Sequence, residues 1–143
     1  MAQTVLVVED DLANAVLFET LLTQFGGFRV VATEDGDEAL RYVREGEVQA
    51  VVMDVSLGNT RVEGESVDGI ELTRRIRTIT SGGQLPVILL TAHAMRGDRE
   101  RLLFASGAND YVSKPIVDQQ EFVELVARHI RASGLGDDGE SSP

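Results

Sequence analysis

Cysteine is absent from this chain of 143 residues, and so is any long apolar run. Without cysteine the protein forms no disulfide and has no thiolate chemistry, which is compatible with a cytoplasmic location. No apolar run approaches the roughly 18 residues that a transmembrane helix needs, so no membrane association is expected. The chain is nevertheless long enough to bury a hydrophobic core of its own.

Basic residues are scarce as well. Thirteen Lys and Arg against 24 Asp and Glu give a net charge of −11, and Lys114 is the only lysine. Nucleic acid is therefore not expected as a direct partner, because binding its phosphates needs clustered cations. Residues 133–143 carry three acids and no base. They predict a disordered acidic tail, or the start of a linker in a longer protein, after a single domain at residues 1–132.

Five short apolar runs alternate with five stretches of helical periodicity. The runs are residues 5–8, 28–32, 50–53, 86–90 and 111–112, and the helical stretches are marked by apolar residues at 18–25, 39–43, 72–79, 95–105 and 122–130. The first four runs are almost continuously apolar, which is typical of strands buried on both faces. This order predicts an α/β fold, a (βα)₅ doubly wound parallel five-stranded sheet. Asp11 and Asp118 are predicted helix N-caps.

Polar side chains follow four of the predicted strands. Glu9 and Asp10 come directly after the first strand, Asp54 after the third, Thr91 after the fourth and Lys114 after the fifth. In open parallel sheets, ligands bind at the carboxyl ends of the strands. We therefore expect these five residues to form one site.

The chemistry of this set points to phosphoryl transfer. Clustered carboxylates repel each other, and a hard divalent cation such as Mg²⁺ relieves the repulsion. An Asp beside Mg²⁺ is a good phosphoryl acceptor. Asp54 is then the nucleophile, Glu9 and Asp10 organise Mg²⁺, and Thr91 and Lys114 bind phosphoryl oxygens. Each residue alone has a simpler interpretation, as a helix N-cap, a strand former or a solvated lysine.

Four segments resemble the receiver (REC) domain of two-component response regulators, in the CheY-like superfamily. They are Val5-Leu-Val-Val-Glu-Asp10, Val51-Val-Met-Asp54, Leu89-Leu-Thr-Ala92 and Tyr111-Val-Ser-Lys-Pro115, in the order found in the family. The similarity covers about residues 4–132 and is closest to stand-alone DivK-type single-domain regulators. It implies a flavodoxin-like fold with strand order 2-1-3-4-5 and a cis peptide between Lys114 and Pro115.

The resemblance implies a phosphorelay switch and not an enzyme. A histidine kinase or histidine phosphotransfer protein would phosphorylate Asp54 with Mg²⁺ bound, and the carbonyl of Ser56 would be a further metal ligand. Thr91 and Tyr111 would then rearrange, so that the surface of helix 4, strand 5 and helix 5 changes and controls a downstream protein partner. The same surface is a candidate for homodimerisation. The alternative for Tyr111 is an aromatic residue of a strand that packs in the core and has no role in switching.

The loop after Asp54 departs from the family's pattern. The family has a proline four residues after the nucleophile, where this chain has Gly58, and the Asp68-Gly69 pair that opens the third helix comes about seven residues late. The inserted residues 59–67 have two interpretations: a functional element beside the phosphorylation site, or a tolerated surface insertion.

Several other polar residues have weaker signals. The resemblance places Ser56 and His93 beside the path of the water that hydrolyses the acyl phosphate, where they would tune its lifetime. An exposed His without a role is the alternative for His93. His129, on the apolar stripe of the last helix, is predicted to pack and not to bind a ligand. Two groups of arginines, Arg74, Arg75 and Arg77, and Arg96, Arg99 and Arg101, are predicted to be solvated near acids.

Three competing functions fit this sequence less well. An Asp-dependent Mg²⁺ phosphohydrolase commonly needs a second Asp two residues after the nucleophile, where this chain has Ser56. A flavin-binding protein would need a phosphate loop after the first strand, where acids would repel a phosphate. The remaining alternative is a phosphorylation-independent interaction module with the receiver fold, which the complete set of five site residues disfavours.

Overall fold

The computed structural model describes residues 2–79, 84–92 and 97–134. Along the chain they form β1 (Thr4–Val8), α1 (Leu12–Gly26), β2 (Arg29–Thr33), α2 (Gly36–Arg44), β3 (Ala50–Asp54), β4 (Arg61–Val62), β5 (Glu65–Ser66), α3 (Gly69–Thr78), β6 (Val87–Thr91), α4 (Asp98–Ser106), β7 (Asp110–Ser113) and α5 (Gln119–Ser133). Five strands form a parallel sheet in the order β2-β1-β3-β6-β7, and β4 and β5 form a separate antiparallel hairpin. Counted within the large sheet, this is the predicted order 2-1-3-4-5, so the predicted fold class is confirmed.

The large sheet is covered by helices on both faces. Alternate residues of each central strand point to opposite sides, so Leu6 and Val8 of β1 lie in one core cluster while Val5 and Val7 lie in the other. The first cluster takes in α2 and α3 through Ala39, Leu40, Val43, Leu72 and Ile76. The second takes in α1 and α5 through Phe18, Leu21, Leu22, Phe122, Val126 and Ile130. This two-sided burial explains the continuously apolar runs of the central strands.

Strand β2 does not follow the prediction of burial on both faces. It lies at the edge of the sheet and pairs with β1. Of its five residues only Thr33 is buried. An edge strand keeps one side open to solvent, which its apolar sequence alone does not reveal.

Helices α1 and α4 each expose a residue that the periodicity assigned to the core. Phe25 at the end of α1 is 49% exposed, and Ala105 in α4 is exposed too. The buried positions of α4 are Asp98 and Ser106, and Phe104 is 93% exposed. Met95, the other residue used to predict this helix, lies outside the described residues. The helix exists as predicted, but its apolar stripe was placed wrongly because α4 buries polar groups.

Four helices begin at an aspartate that accepts a hydrogen bond from an N–H group of the first turn. These N-caps are Asp11, Asp35, Asp68 and Asp118. The predicted caps Asp11 and Asp118 are thereby confirmed, and their carboxylates lie 3.1 Å from the nitrogen of Asn14 and 3.0 Å from that of Glu121. Such caps satisfy N–H groups that the helix itself leaves without partners.

The insertion after Asp54 is a folded hairpin and not a plain polar loop. Val62 of β4 and Val67 just after β5 are buried in the core cluster that also contains α2. The turn places Glu63 at a φ of 50°. A side chain at Gly36, the first residue of α2, would lie 2.5 Å from the carbonyl oxygen of Arg61. The hairpin therefore packs so closely on α2 that only glycine fits there.

Arg77 is not solvated as predicted. Its guanidinium donates to the carbonyl oxygens of Leu85 and Gly107, at 2.7 and 2.8 Å, and to Oδ1 of Asn109 at 2.8 Å. The same Oδ1 accepts the N–H of Val87, the first residue of β6. Burial lowers the pKa of Arg77, although it remains a cation. It ties the end of α3 to the starts of β6 and β7. The exposed Arg74 and the half-exposed Arg75 pair with Glu71, as expected for solvated bases near acids.

The last helix, α5, includes Ser133, one residue beyond the domain boundary predicted at 132. Residues 135–143, which make up most of the predicted tail, lie outside the described residues. Within the part of the chain that the structure describes, no helix combines the length and apolar character needed to cross a membrane.

Candidate functional site

The carboxyl ends of four neighbouring strands bring the predicted site residues together. Asp54 is the last residue of β3 and Thr91 the last of β6. Glu9 follows β1 directly, and Lys114 follows β7. The parallel register pairs Val8 with Met53, Asp54 with Leu90, and Thr91 with Ser113, so all four lie at one edge. The sheet thus assembles the site through backbone pairing alone.

Lys114 is the cation at the centre of this edge. Its Nζ lies 3.1 Å from Oδ1 of Asp54 and 3.7 Å from Oε1 of Glu9. Asp54 is only 2% exposed and Glu9 only 4%. The N–H of Ser56 also donates to Oδ1 of Asp54, at 3.3 Å. One partly buried ammonium therefore faces two buried carboxylates, and burial of the carboxylates makes this imbalance of charge costly.

The pKa of Glu9 reflects this environment. Burial raises its pKa to about 7, and the negative charge of Asp54 adds to the effect. The N–H of Asp11 donates to Oε2 of Glu9 at 3.2 Å, but the buried Oε1 accepts no hydrogen bond from the residues that the structure describes. A buried carboxylate oxygen without a donor is an open position for a cation.

Asp10 completes a group of three acids that suits a divalent cation. One carboxylate oxygen from each of Glu9, Asp10 and Asp54 lies within 4.8 Å of the others. Oδ2 of Asp10 accepts the N–H groups of Gly58 and Asn59, at 2.6 and 3.0 Å. Oxygen ligands at this spacing, one of which accepts no hydrogen bond from the described residues, fit a hard ion such as Mg²⁺.

Three of the remaining predicted site residues, Thr91, Tyr111 and Ser56, lie in the described part of the chain. The carbonyl oxygen of Thr91 accepts the N–H of Lys114 at 2.8 Å, and the peptide between Lys114 and Pro115 is cis, as the resemblance implied. Tyr111 on β7 is half-buried against the core cluster of α2 and α3. Ser56, two residues after Asp54, is exposed. His93 lies outside the described residues.

Sequence reasoning missed the contact between the insertion and Asp10. The donors are main-chain N–H groups, which a search for chemically active side chains does not consider. One signal was present, however. Gly58 stands where the family has a proline, and a proline has no N–H to donate.

A second charged cluster lies away from this edge and was also missed. Oδ1 of Asp110, at the start of β7, accepts a hydrogen bond from Arg99 of α4 at 2.8 Å. Its Oδ2 lies 3.0 Å from Nε2 of His129 in α5. Burial alone would raise the pKa of Asp110, but the hydrogen bonds from Arg99 and His129 outweigh it and lower the pKa. His129 is thus a packed partner, and Arg99 is engaged with an acid.

Comparison with known proteins finds one matching domain family and several relatives. Residues 5–127 match the response regulator receiver domain. The polar-differentiation response regulator DivK of Brucella ovis is 33% identical over 130 residues, which cover 91% of this chain and 98% of that protein. Hybrid signal transduction histidine kinase I of Dictyostelium discoideum is 41% identical over 116 residues, which cover 80% of this chain but 6% of the kinase. The chain therefore spans nearly the whole of one relative and a small part of another.

Solved structures show the same architecture. The receiver domain of a sensor histidine kinase from Pseudomonas aeruginosa is 35% identical, with a TM-score of 0.76 over 92% of this chain and 99% of that one. Its structure has a magnesium ion coordinated in the active site cleft. A CheY-like receiver domain protein from Methanospirillum hungatei, 19% identical, shares the fold with a TM-score of 0.75 over 97% of this chain and all of the other.

Proposed function

Because the chain belongs to the response regulator receiver domain family, we propose that it accepts a phosphoryl group on Asp54. The donor is a phosphohistidine of a histidine kinase or of a histidine phosphotransfer protein. The observation that carries this proposal is the 3.1 Å contact between the Lys114 ammonium and the buried Asp54 carboxylate, beside two further acids. The protein then works as a signalling switch that catalyses only its own phosphorylation and dephosphorylation.

Four groups of this chain would hold Mg²⁺. They are the carboxylates of Glu9, Asp10 and Asp54 and the carbonyl oxygen of Ser56. The close approach of the three carboxylates supports this assignment, and so does Oε1 of Glu9, which accepts no hydrogen bond from the described residues. When bound, the cation neutralises negative charge on the phosphoryl oxygens.

Asp54 supplies the nucleophile. One of its carboxylate oxygens bonds to phosphorus while the bond from phosphorus to the imidazole nitrogen breaks, and the electron pair of that bond stays on the imidazole. The Lys114 ammonium and the Ser56 N–H orient the carboxylate through Oδ1. After transfer, the Lys114 ammonium and the Thr91 hydroxyl hold the phosphoryl oxygens. The burial of Asp54 limits the access of water to the acyl phosphate.

The switch runs from Thr91 through Tyr111 to the surface formed by α4, β7 and α5. Thr91 is one residue beyond Leu90, the register partner of Asp54, and β6 pairs directly with β7, which carries Tyr111. A hydroxyl drawn to the phosphoryl group biases this pair of residues toward a second arrangement, which a downstream protein reads. The surface formed by α4, β7 and α5 can also serve a homodimer. Separately, Ser56 and His93 tune the lifetime of the acyl phosphate.

The phosphodonor protein docks on apolar side chains around the mouth of the site. Because Asp54 is buried at the strand ends, any donor imidazole has to enter from this edge. Leu12, 79% exposed at the start of α1, lines a cleft with Glu9 and Asp10. Leu17 lines another cleft with Lys114 and Pro115, and Val117, 92% exposed, lies two residues after Pro115. Changing Leu12 or Val117 to Asp should slow transfer from a phosphorylated histidine phosphotransfer protein and leave phosphorylation by acetyl phosphate unchanged. Equal rates with the protein donor would contradict this docking surface.

Intact-mass spectrometry after incubation with Mg²⁺ and acetyl phosphate tests the proposed acceptor. Wild-type protein should gain one phosphoryl group, and Asp54→Asn should gain none. Asp118→Asn is a matched control, because Asn caps a helix about as well as Asp, and it should be modified like the wild type. The gain should disappear in EDTA.

The opposite result would favour the alternative function. If no Mg²⁺-dependent adduct forms on the wild type, even after rapid quenching and with beryllofluoride as a binding probe, phosphorylation of Asp54 is excluded. The folded hairpin at residues 61–66, which has its own buried anchor in Val62, would then be the leading feature of a phosphorylation-independent interaction module.

A further inference from the structure

The loop that follows Asp54 touches the metal-binding group at Asp10. Gly58 and Asn59 both donate their main-chain N–H groups to a single oxygen, Oδ2 of Asp10. An oxygen of a carboxylate has two lone pairs, so these two donors occupy both. Oδ1 is then the oxygen of Asp10 that remains for a cation. The neighbouring Glu9 Oε1, buried and without a hydrogen bond from the described residues, faces the same need for a cation.

The two donors are held in place by the hairpin that follows them. Thr60 is buried, and its carbonyl oxygen accepts the N–H of Val67 at 3.0 Å, which closes the base of the hairpin. Val62 and Val67 are anchored in the core. At the tip, the N–H of Glu63 lies 3.1 Å from both carboxylate oxygens of Asp37 in α2. The loop is thus fixed at its start, base and tip.

We propose that the main-chain N–H groups of Gly58 and Asn59 are positioning groups that preorganise Asp10 as a ligand for Mg²⁺. This inference rests on the proposed function, because it assumes that Asp10 binds the ion. Hydrogen bonds that orient a ligating carboxylate raise metal affinity, and losing one typically costs about 10- to 100-fold. A carboxylate already fixed in one rotamer also loses less conformational freedom when the ion binds.

The substitution Gly58→Pro removes one of the two donors, since proline has no N–H. Gly58→Ala is the matched variant that retains it, and the added Cβ would meet Oδ2 of Asp10 at an ordinary contact distance of 3.5 Å. Isothermal titration of metal-free protein with Mg²⁺ should show about tenfold weaker binding for the proline variant. The alanine variant should bind within about twofold of the wild type, because it keeps the donor. Circular dichroism and thermal unfolding in EDTA establish that each variant is folded.

A second measurement needs no proline. In ¹⁵N-resolved NMR spectra of the metal-free protein, Asp10→Asn should move the Gly58 and Asn59 amide protons upfield and speed their exchange with solvent. The amide of Gly46, in a turn remote from the loop, should not move. If the proline variant does not fold, this comparison decides whether the contact exists, and Asn59→Pro repeats the affinity test with the other donor.

The outcomes separate this inference from the proposed function. If the wild type binds no Mg²⁺, both fail. If the wild type binds Mg²⁺ and is phosphorylated, but a folded Gly58→Pro variant binds Mg²⁺ as tightly or more tightly, only the positioning role is overturned. Unchanged NMR signals of Gly58 and Asn59 in Asp10→Asn would overturn it as well.

Discussion

Glu9 and Asp110 are two largely buried acids at strand ends of one sheet, and their pKa values move in opposite directions. Burial raises the pKa of Glu9 to about 7, helped by the charge of Asp54 and only weakly opposed by Lys114. Burial acts on Asp110 in the same direction. There, however, the hydrogen bonds from Arg99 and His129 prevail and lower the pKa from its ordinary value of 3.8.

The number of donors explains the difference. Oδ1 of Asp110 accepts N–H groups from Arg99 and from its own neighbour Tyr111, and Oδ2 faces His129. Glu9 accepts one main-chain N–H at Oε2, while Oε1 accepts none from the described residues. A carboxylate with all its donors ties α4, β7 and α5 together. A carboxylate with too few is left ready for a cation. The hydrogen-bond donors around a buried acid, and not its burial alone, decide the direction in which its pKa moves.

Of the three substitutions considered, removing Lys114 should change the free energy of unfolding most. Lys114→Met leaves Glu9 and Asp54 buried without their cation, so in EDTA at pH 8 the free energy of unfolding should fall by about 3 kcal/mol. Saturating Mg²⁺ should restore much of the loss if the carboxylates bind it. Urea denaturation with and without Mg²⁺ measures both effects. A variant as stable as the wild type in EDTA would show that the two acids do not need Lys114.

Neutralising Glu9 should raise the free energy of unfolding, whereas removing Lys114 should lower it. Because the pKa of Glu9 is higher in the folded protein than its ordinary value of 4.5, the folded state keeps a proton that the unfolded chain loses. Stability in EDTA should therefore fall as pH rises from about 4.5 to about 7, and Glu9→Gln should remove this slope. The variant should be more stable by about 2 kcal/mol at pH 8 and equal to the wild type below pH 4.5. A constant difference across this range would contradict the raised pKa.

Asp110→Asn should be the smallest of the three changes. It weakens contacts to the half-exposed Arg99 and to His129, so a loss of about 1 kcal/mol is expected. Because the folded pKa of Asp110 is depressed, its contribution is fully present above pH 3.8 and is lost as the pH falls further. The exposed pair of Arg74 and Glu71 is the control, and Arg74→Gln should change stability very little. An effect of Asp110→Asn no larger than this would mean that the cluster ties nothing together.

The sequence was sufficient to predict the large parallel sheet and the edge at which its polar residues meet. Continuous apolar runs indicated the central strands, and parallel pairing then brought Glu9, Asp54, Thr91 and Lys114 to one edge without any knowledge of their side-chain contacts. The N-caps Asp11 and Asp118 were equally local, since each bonds to a residue three positions on.

What escaped prediction depends on contacts between distant parts of the chain. Strands of two residues, like those of the hairpin, are too short for any periodicity. Arg77 looks like every other arginine of α3, and only the fold shows that it points at Leu85 and Gly107. The donors to Asp10 are main-chain groups 48 and 49 residues away. No local pattern encodes such pairs.

The half-buried guanidinium of Arg77 has a mechanical consequence. Its hydrogen bonds to Leu85, Gly107 and Asn109 fix the amino-terminal ends of β6 and β7 relative to α3. Thr91 and Ser113 sit at the other ends of these strands, about 13 Å away for four residues of extended chain. The two strands are therefore held at their amino-terminal ends, whereas their carboxyl ends lack this anchor. We expect a displacement of Thr91 or Lys114 to bend the strands relative to their fixed amino-terminal ends. Its amplitude should then be greatest at the carboxyl ends of the strands, where the candidate site lies.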